Sequence, residues 1–130
     1  MPAEGELYAY EWSVLRVVPR VERGEFVNVG VVVYCHRLDY LKAALCGDLT
    51  RAEALAPALD IAAVERHLEW VRALCAGDPS AGTSGRRSPG DRFRWLVAPR
   101  STVVQPSPVH PGLTSDPGRE LADLFTRMVL

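Results

Sequence analysis

The sequence predicts an α+β domain: an antiparallel β-sheet of three to four strands, built on a hairpin over residues 8–35, with two main helices at 61–76 and 117–129 covering it. Three observations carry this expectation. Val27, Val29, Val31, Val33 and Cys35 fall on every second position, which is the period of a strand with a buried face. Ile61, Val64, Leu68, Val71 and Cys75 recur at spacings of three and four, which makes one apolar stripe on a helix. Leu121, Leu124, Phe125 and Met128 repeat that pattern near the end of the chain. At 130 residues, 48% hydrophobic and 24% charged, the chain reads as a single domain over 1–130. A chain of this length buries enough surface to need no metal or disulfide staple.

The elements follow in order. Tyr8 to Val18 reads as the first strand, with Tyr8, Tyr10, Trp12, Val14 and Val18 on one face and Arg16 among them. Pro19 ends it, since proline cannot donate to a ladder and restricts its neighbour. Arg20 to Gly24 is hairpin length, and Gly24 can take a positive φ. A hairpin centred near Val21 and Glu22 pairs Arg16 with Asn28, Val14 with Gly30 and Trp12 with Val32. The valine pattern argues for that register, because a slip of one residue turns every side chain over. His36 and Arg37 mark a second turn, and Leu38 to Cys46 reads as a weaker third strand. Thr50 to Ala56 reads as a short helix before Pro57. Asp60 is placed to cap the 61–76 helix and Gly77 to stop it.

Residues 78–88 read as a mobile Gly/Ser-rich loop. Ser88-Pro89-Gly90-Asp91 has the form of a capping box and opens a short helix near 89–97. Ser101 to Gln105 reads as a short strand, after which Pro106, Pro108 and Pro111 hold the chain extended and limit ladder bonds. Asp116-Pro117 opens the last helix over 117–129, and both main helices are expected to cover the valine face of the sheet. The long sheet edge this implies offers a route to a homodimer.

Composition bounds the function. A net charge of −1 gives no global attraction to nucleic acid or membrane. No apolar run approaches the ~18 residues of a membrane span, and the first residues lack the basic and apolar regions of a signal peptide, so a cytoplasmic protein is expected. Cys35, Cys46 and Cys75 lack metal-ligand spacing and read as buried free thiols. Cys35 and His36 are adjacent in a strand and point to opposite sides, and no H-E-x-x-H or C-x-x-C is present. The expectation is no metal and no cofactor.

Three stretches carry polar residues that chemistry could use. In the hairpin, Arg23, Glu25, Asn28 and Gly30 interrupt the apolar pattern, with Arg16 opposite Asn28. Asn28 offers donors and an acceptor, and Gly30 admits a close approach by another backbone or a ligand. From Arg86 to Arg100, five arginines stand against Asp91 alone, a local +4. Arg92, Arg94 and Arg100 there read as candidate anion-binding residues, and the interleaved Phe93 and Trp95 could stack on bases. From Arg100 to Gly112, Ser101, Ser107 and His110 share one extended segment with Arg100. His110 could move a proton while Arg100 holds an anion, but no motif activates either serine. Each stretch also has a plainer reading, in which its polar groups satisfy the chain's own backbone.

Pro19 to Val32, Arg92 to Val103, and Ser107 to Gly112 followed by Asp116-Pro117 together resemble the bacterial domain-of-unknown-function family numbered 3037. The resemblance runs from about Tyr8 to Val129. It implies a small bacterial protein without an assigned activity, and an accessory role beside a HipA-like kinase partner. It supplies no catalytic residues, but it marks Arg23, Glu25, Asn28, Gly30, Arg100, Ser101, Ser107 and His110 as signature positions. The expectation is therefore a non-enzymatic interaction or accessory module for a kinase-like protein. The alternative is an anion-handling protein, a nucleic-acid binder or phosphoester enzyme, that gathers Arg16, Arg23, Arg92, Arg94, Arg100 and His110 into one cluster. The residues leave open whether the chain is an enzyme; the lack of an activated nucleophile argues against it.

Overall fold

A computed structural model describes residues 5–100 and 102–130. Two long strands form the centre: β1 (Tyr8–Val17) and β2 (Val27–Cys35), paired antiparallel. Their connection winds through a single 3-10 turn at Val21–Arg23, and Gly24 closes it in the left-handed region at φ 67°. A tight turn closed by Asp39 N–H donating to His36 carbonyl leads into β3 (Tyr40–Leu45), which pairs with β2. The helices α1 (Thr50–Leu55) and α2 (Ile61–Ala76) follow. Asp60 caps α2 by accepting from Ala63 N–H, and Gly77 ends it at φ 70°, as the residue types predict. The Gly/Ser-rich stretch that follows is folded against α2 as 3-10 turns at Pro79–Arg86. Then come α3 (Pro89–Leu96), capped by Ser88, the short strands β4 (Val104–Pro106) and β5 (His110–Thr114), and α4 (Pro117–Met128), capped by Asp116.

The sheet is α+β in class and has five strands in the order β3-β2-β1-β4, with β5 also on β1. The outer side of β1 is thus shared: β4 covers Leu15 to Val17 and β5 covers Tyr8 to Trp12. The prolines were expected to keep this segment extended and to limit its ladder bonds, and Pro111 nonetheless sits opposite Glu11 within β5. An edge strand tolerates proline because only one side of its backbone needs partners.

The register departs from expectation at one point, and the departure shapes the fold. Arg16 opposes Asn28 as predicted, but Leu15 opposes Gly30 and Val14 opposes Val31. Val29 is therefore an extra residue in β2, a β-bulge. The bulge reverses the alternation. Val29, Val32 and Tyr34 pack with Leu15, Val17, Leu41, α2 and α3. Val31, Val33 and Cys35 pack with Tyr10 and the Leu121 and Leu124 face of α4. The valines thus do not form one face, and the helices do not share one side: α2 and α3 cover one face and α4 the other. Both faces being dry explains why β2 reads as a near-continuous apolar run.

Cys35 and Cys75 are buried, while Cys46 is half-buried with its thiol donating to Asp48 carbonyl at 3.0 Å. Burial pushes the Cys75 thiol up to about 12, so it stays protonated, and unreactive, at ordinary pH. Titration of the native protein with a thiol reagent near pH 8 is expected to modify Cys46 first, with Cys35 and Cys75 reacting only after denaturation. Rapid native reaction of all three would contradict the packing. No helix among the described residues is long and apolar enough to cross a membrane.

Candidate functional site

The polar residues singled out by sequence are held at five separate places. At the hairpin tip, Arg23 Nε donates to Glu25 Oε1 at 2.5 Å, and this bond holds the Glu25 carboxyl below its usual range. Both groups are exposed, so the pair adds little to stability.

On the α4 face, Arg16 and Asn28 are cross-strand neighbours. The Arg16 guanidinium lies 4.2 Å from the centre of the Phe26 ring, a cation–π contact. Asn28 Nδ2 donates to Met128 carbonyl at 3.0 Å, which ties the end of α4 to the sheet. Arg51 donates to the next carbonyl, Val129. Two of the C-terminal carbonyls of α4 are thus met by side chains. The buried atoms Arg16 Nε and Asn28 Oδ1 have no hydrogen-bond partner among the described residues.

His110 opposes Trp12 on the same face, and the rings lie tilted at 34° with centroids 4.5 Å apart. Trp12 and Arg16 are four residues apart on β1, about 13 Å along a strand. Arg16 also reaches toward Phe26, away from His110. His110 is exposed at the far end.

At the seam between β4 and β5, Ser107 replaces the missing ladder. Its N–H donates to Val14 carbonyl at 2.7 Å, and its Oγ accepts from Val14 N–H at 2.8 Å. Ser13 Oγ donates to Ser107 carbonyl at 2.8 Å. Ser107 and Ser13 are fully enclosed. A buried serine that satisfies a backbone N–H is a structural part, not a nucleophile awaiting a base.

On the α2–α3 face, the basic stretch is largely committed. Arg92 Nη1 donates to Leu74 and Cys75 carbonyls, both at 2.8 Å, and its Nε donates to Arg87 carbonyl at 3.0 Å. Arg94 forks onto Glu11, with bonds of 2.6 and 2.7 Å. Arg100 Nη2 donates to Trp95 carbonyl at 2.5 Å and Nε to Ala98 carbonyl at 3.3 Å. Its guanidinium lies 5.5 Å from the Trp70 ring centre. Ser101 lies outside the described residues.

Asn28, Arg100 and His110 therefore do not line one pocket. The sheet stands between Arg100 and the other two. Two residues that the sequence pattern did not single out, His67 and Trp70, meet Arg100 in a shared cleft. Burial, then the neighbouring Arg100 charge, pushes the His67 imidazole below its usual value. Their spacing of three along α2 was the available signal, since it puts both rings on one face. Among the described residues, no group of three or more His, Cys, Asp or Glu side chains is placed to hold a metal.

Comparison with known proteins bears on the whole chain. The family model described as protein of unknown function (DUF3037) matches residues 12–129, and the chain belongs to that family. No curated protein and no solved structure matches it.

Proposed function

We propose that this member of the family is a non-enzymatic interaction module, an accessory protein whose kinase-like, HipA-like partner adds an extended segment to the outer edge of β3. The observation that carries this reading is the inequality of the two sheet edges. The β1 side is closed by β4 and β5, which bring Pro106 and Pro111 into the strands. β3 is the other outer strand and contains no proline.

The pairing pattern fixes which groups are free. Cys46 N–H donates to Val29 carbonyl. Counting back along the register, the residues bonded to β2 are Ala44, Lys42 and Tyr40. The N–H and C=O groups of Leu41, Ala43 and Leu45 then point outward. A groove of about 400 Å³, lined by Leu41, Lys42, Ala43, Arg72, Cys75 and Ala76, runs beside them. Outward main-chain groups supply affinity in strand addition, and the adjacent groove supplies side-chain selectivity. The internal commitment of Ser107, Arg92 and Asn28 supports the non-enzymatic half of the reading.

Ala43→Pro tests it. The substitution removes an outward N–H and leaves the β2 ladder bonds in place. Co-expression of the chain with the kinase-like protein, followed by pull-down, is expected to recover a complex that Ala43→Pro loses while keeping its circular dichroism spectrum. A folded Ala43→Pro that still recovers the kinase would overturn the reading. Light scattering of the chain alone reads the other occupant of that edge, a second copy.

A further inference from the structure

We infer that the cleft between α2 and the α3–β4 connection binds single-stranded nucleic acid, with a base stacked against Trp95 and a phosphate on Arg100, which Trp70 supports from behind. The cleft has a volume of about 450 Å³ and is lined by His67, Trp70, Trp95, Pro99, Arg100 and Thr102. Three properties of these residues define the ligand.

First, the walls are flat π surfaces. Trp95 is 55% exposed, although it sits on a helix whose Phe93 and Leu96 are buried. A large indole left in solvent at the mouth of a cleft is a surface that something flat can cover. His67 packs against Trp70 with ring centroids 5.4 Å apart, which holds the second indole in place.

Second, the floor is cationic without a counter-ion. Among the described residues, Arg100 bonds to carbonyls and lies over Trp70, and no carboxylate lines the cleft. Burial of its guanidinium lowers its pKa from the usual value, the sign that an anion placed there would relieve unfavourable desolvation. Arginine presents a planar fork that suits phosphate oxygens.

Third, the positive charge continues past Trp95. A second depression that shares Trp95 is lined by Arg87, Arg94 and Asp91 among others. Arg94 is neutralised by Glu11, so Arg87 is the second phosphate donor and Asp91 opposes it in part. The arrangement is a stacking platform with a cation in each depression, which fits a strand rather than an isolated nucleotide. The net charge of −1 makes this a local site, not a general polyanion surface.

The test uses the full chain and a fluorescein-labelled oligothymidylate of twelve nucleotides, read by anisotropy. Two of the three tryptophans line the cleft, so intrinsic fluorescence should be quenched in step with binding. Contact with two phosphates predicts a shallow salt dependence, about sevenfold weaker binding between 50 and 200 mM salt. Trp95→Ala is expected to weaken binding about tenfold, as the loss of one stacked base does. Arg100→Gln should weaken it comparably, whereas Arg23→Gln at the hairpin tip should not change it. Thermal melts confirm that each variant is folded. Absence of saturable binding at 50 mM salt would overturn the inference. So would binding indifferent to Trp95→Ala and Arg100→Gln, or a free mononucleotide competing as well, per mole, as the oligonucleotide.

Discussion

Gly30→Val is expected to destabilise the fold by about 2–3 kcal/mol, within the usual range for forcing extra volume into a packed core. The cause is the bulge. Where Val29 interrupts the alternation, Val29 and Gly30 turn toward the same face, and only one can carry a side chain. A Cβ built on Gly30 would lie 2.8 Å from Leu45 Cδ2, 3.1 Å from Ala44 carbonyl oxygen and 3.4 Å from Leu15 Cδ1. The Leu45 methyl can rotate away, since that side chain is half-buried. The Ala44 carbonyl belongs to the paired neighbouring strand and cannot move without loosening the ladder. Gly30→Ala should therefore cost less than Gly30→Val, and Leu45→Ala in the same chain should recover part of the loss. Urea midpoints for the four proteins measure this directly. An unchanged midpoint in Gly30→Val would remove the bulge as the reason for glycine, and with it the assignment of β2 valines to two faces.

That bulge also shows what a sequence can and cannot disclose. Helix α2 was legible because its cap, stripe and stop are all local, within the helix or next to its ends: Asp60, the Val64–Leu68–Val71 spacing and Gly77. Helix α4 was legible for the same local reasons. The valine run was legible as a strand, but a run of valines reads alike whichever face each one takes, so the reversal at Val29 left no trace. Strand β5 was hidden because Pro111 argues against a ladder, and only its edge position permits one.

The candidate site was legible as a set of residue types and not as a place. Asn28 meets Met128 across 100 positions, and Ser107 meets Val14 across 93. Nothing near either residue announces its partner. Arg100 was singled out as a cation, yet its companions His67 and Trp70 come from a helix that reads as ordinary scaffold.

Arg92→Ala should lower stability by about 2–3 kcal/mol, the scale set by losing hydrogen bonds to a charged group. Arg92 was expected to bind anions, but its guanidinium points inward to three carbonyls, two of them at the end of α2. Those carbonyls belong to the last turn of α2, where intrahelical partners run out and a cation is favoured by the helix dipole. Gly77 N–H bonds Ala73 and Leu74 carbonyls in the same turn, so Arg92 and Gly77 together close the helix end. Lysine should rescue only in part, because a single ammonium on a flexible stem cannot reproduce a fork that spans two elements. The contrast with Arg100 makes the prediction specific. Arg92→Ala should shift the urea midpoint and leave oligonucleotide affinity unchanged at temperatures where the variant is folded. Arg100→Gln should do the reverse. If Arg92→Ala instead kept full stability and lost affinity, the arginine stretch would be a binding surface throughout, and the division drawn here between structural and ligand-facing arginines would fail.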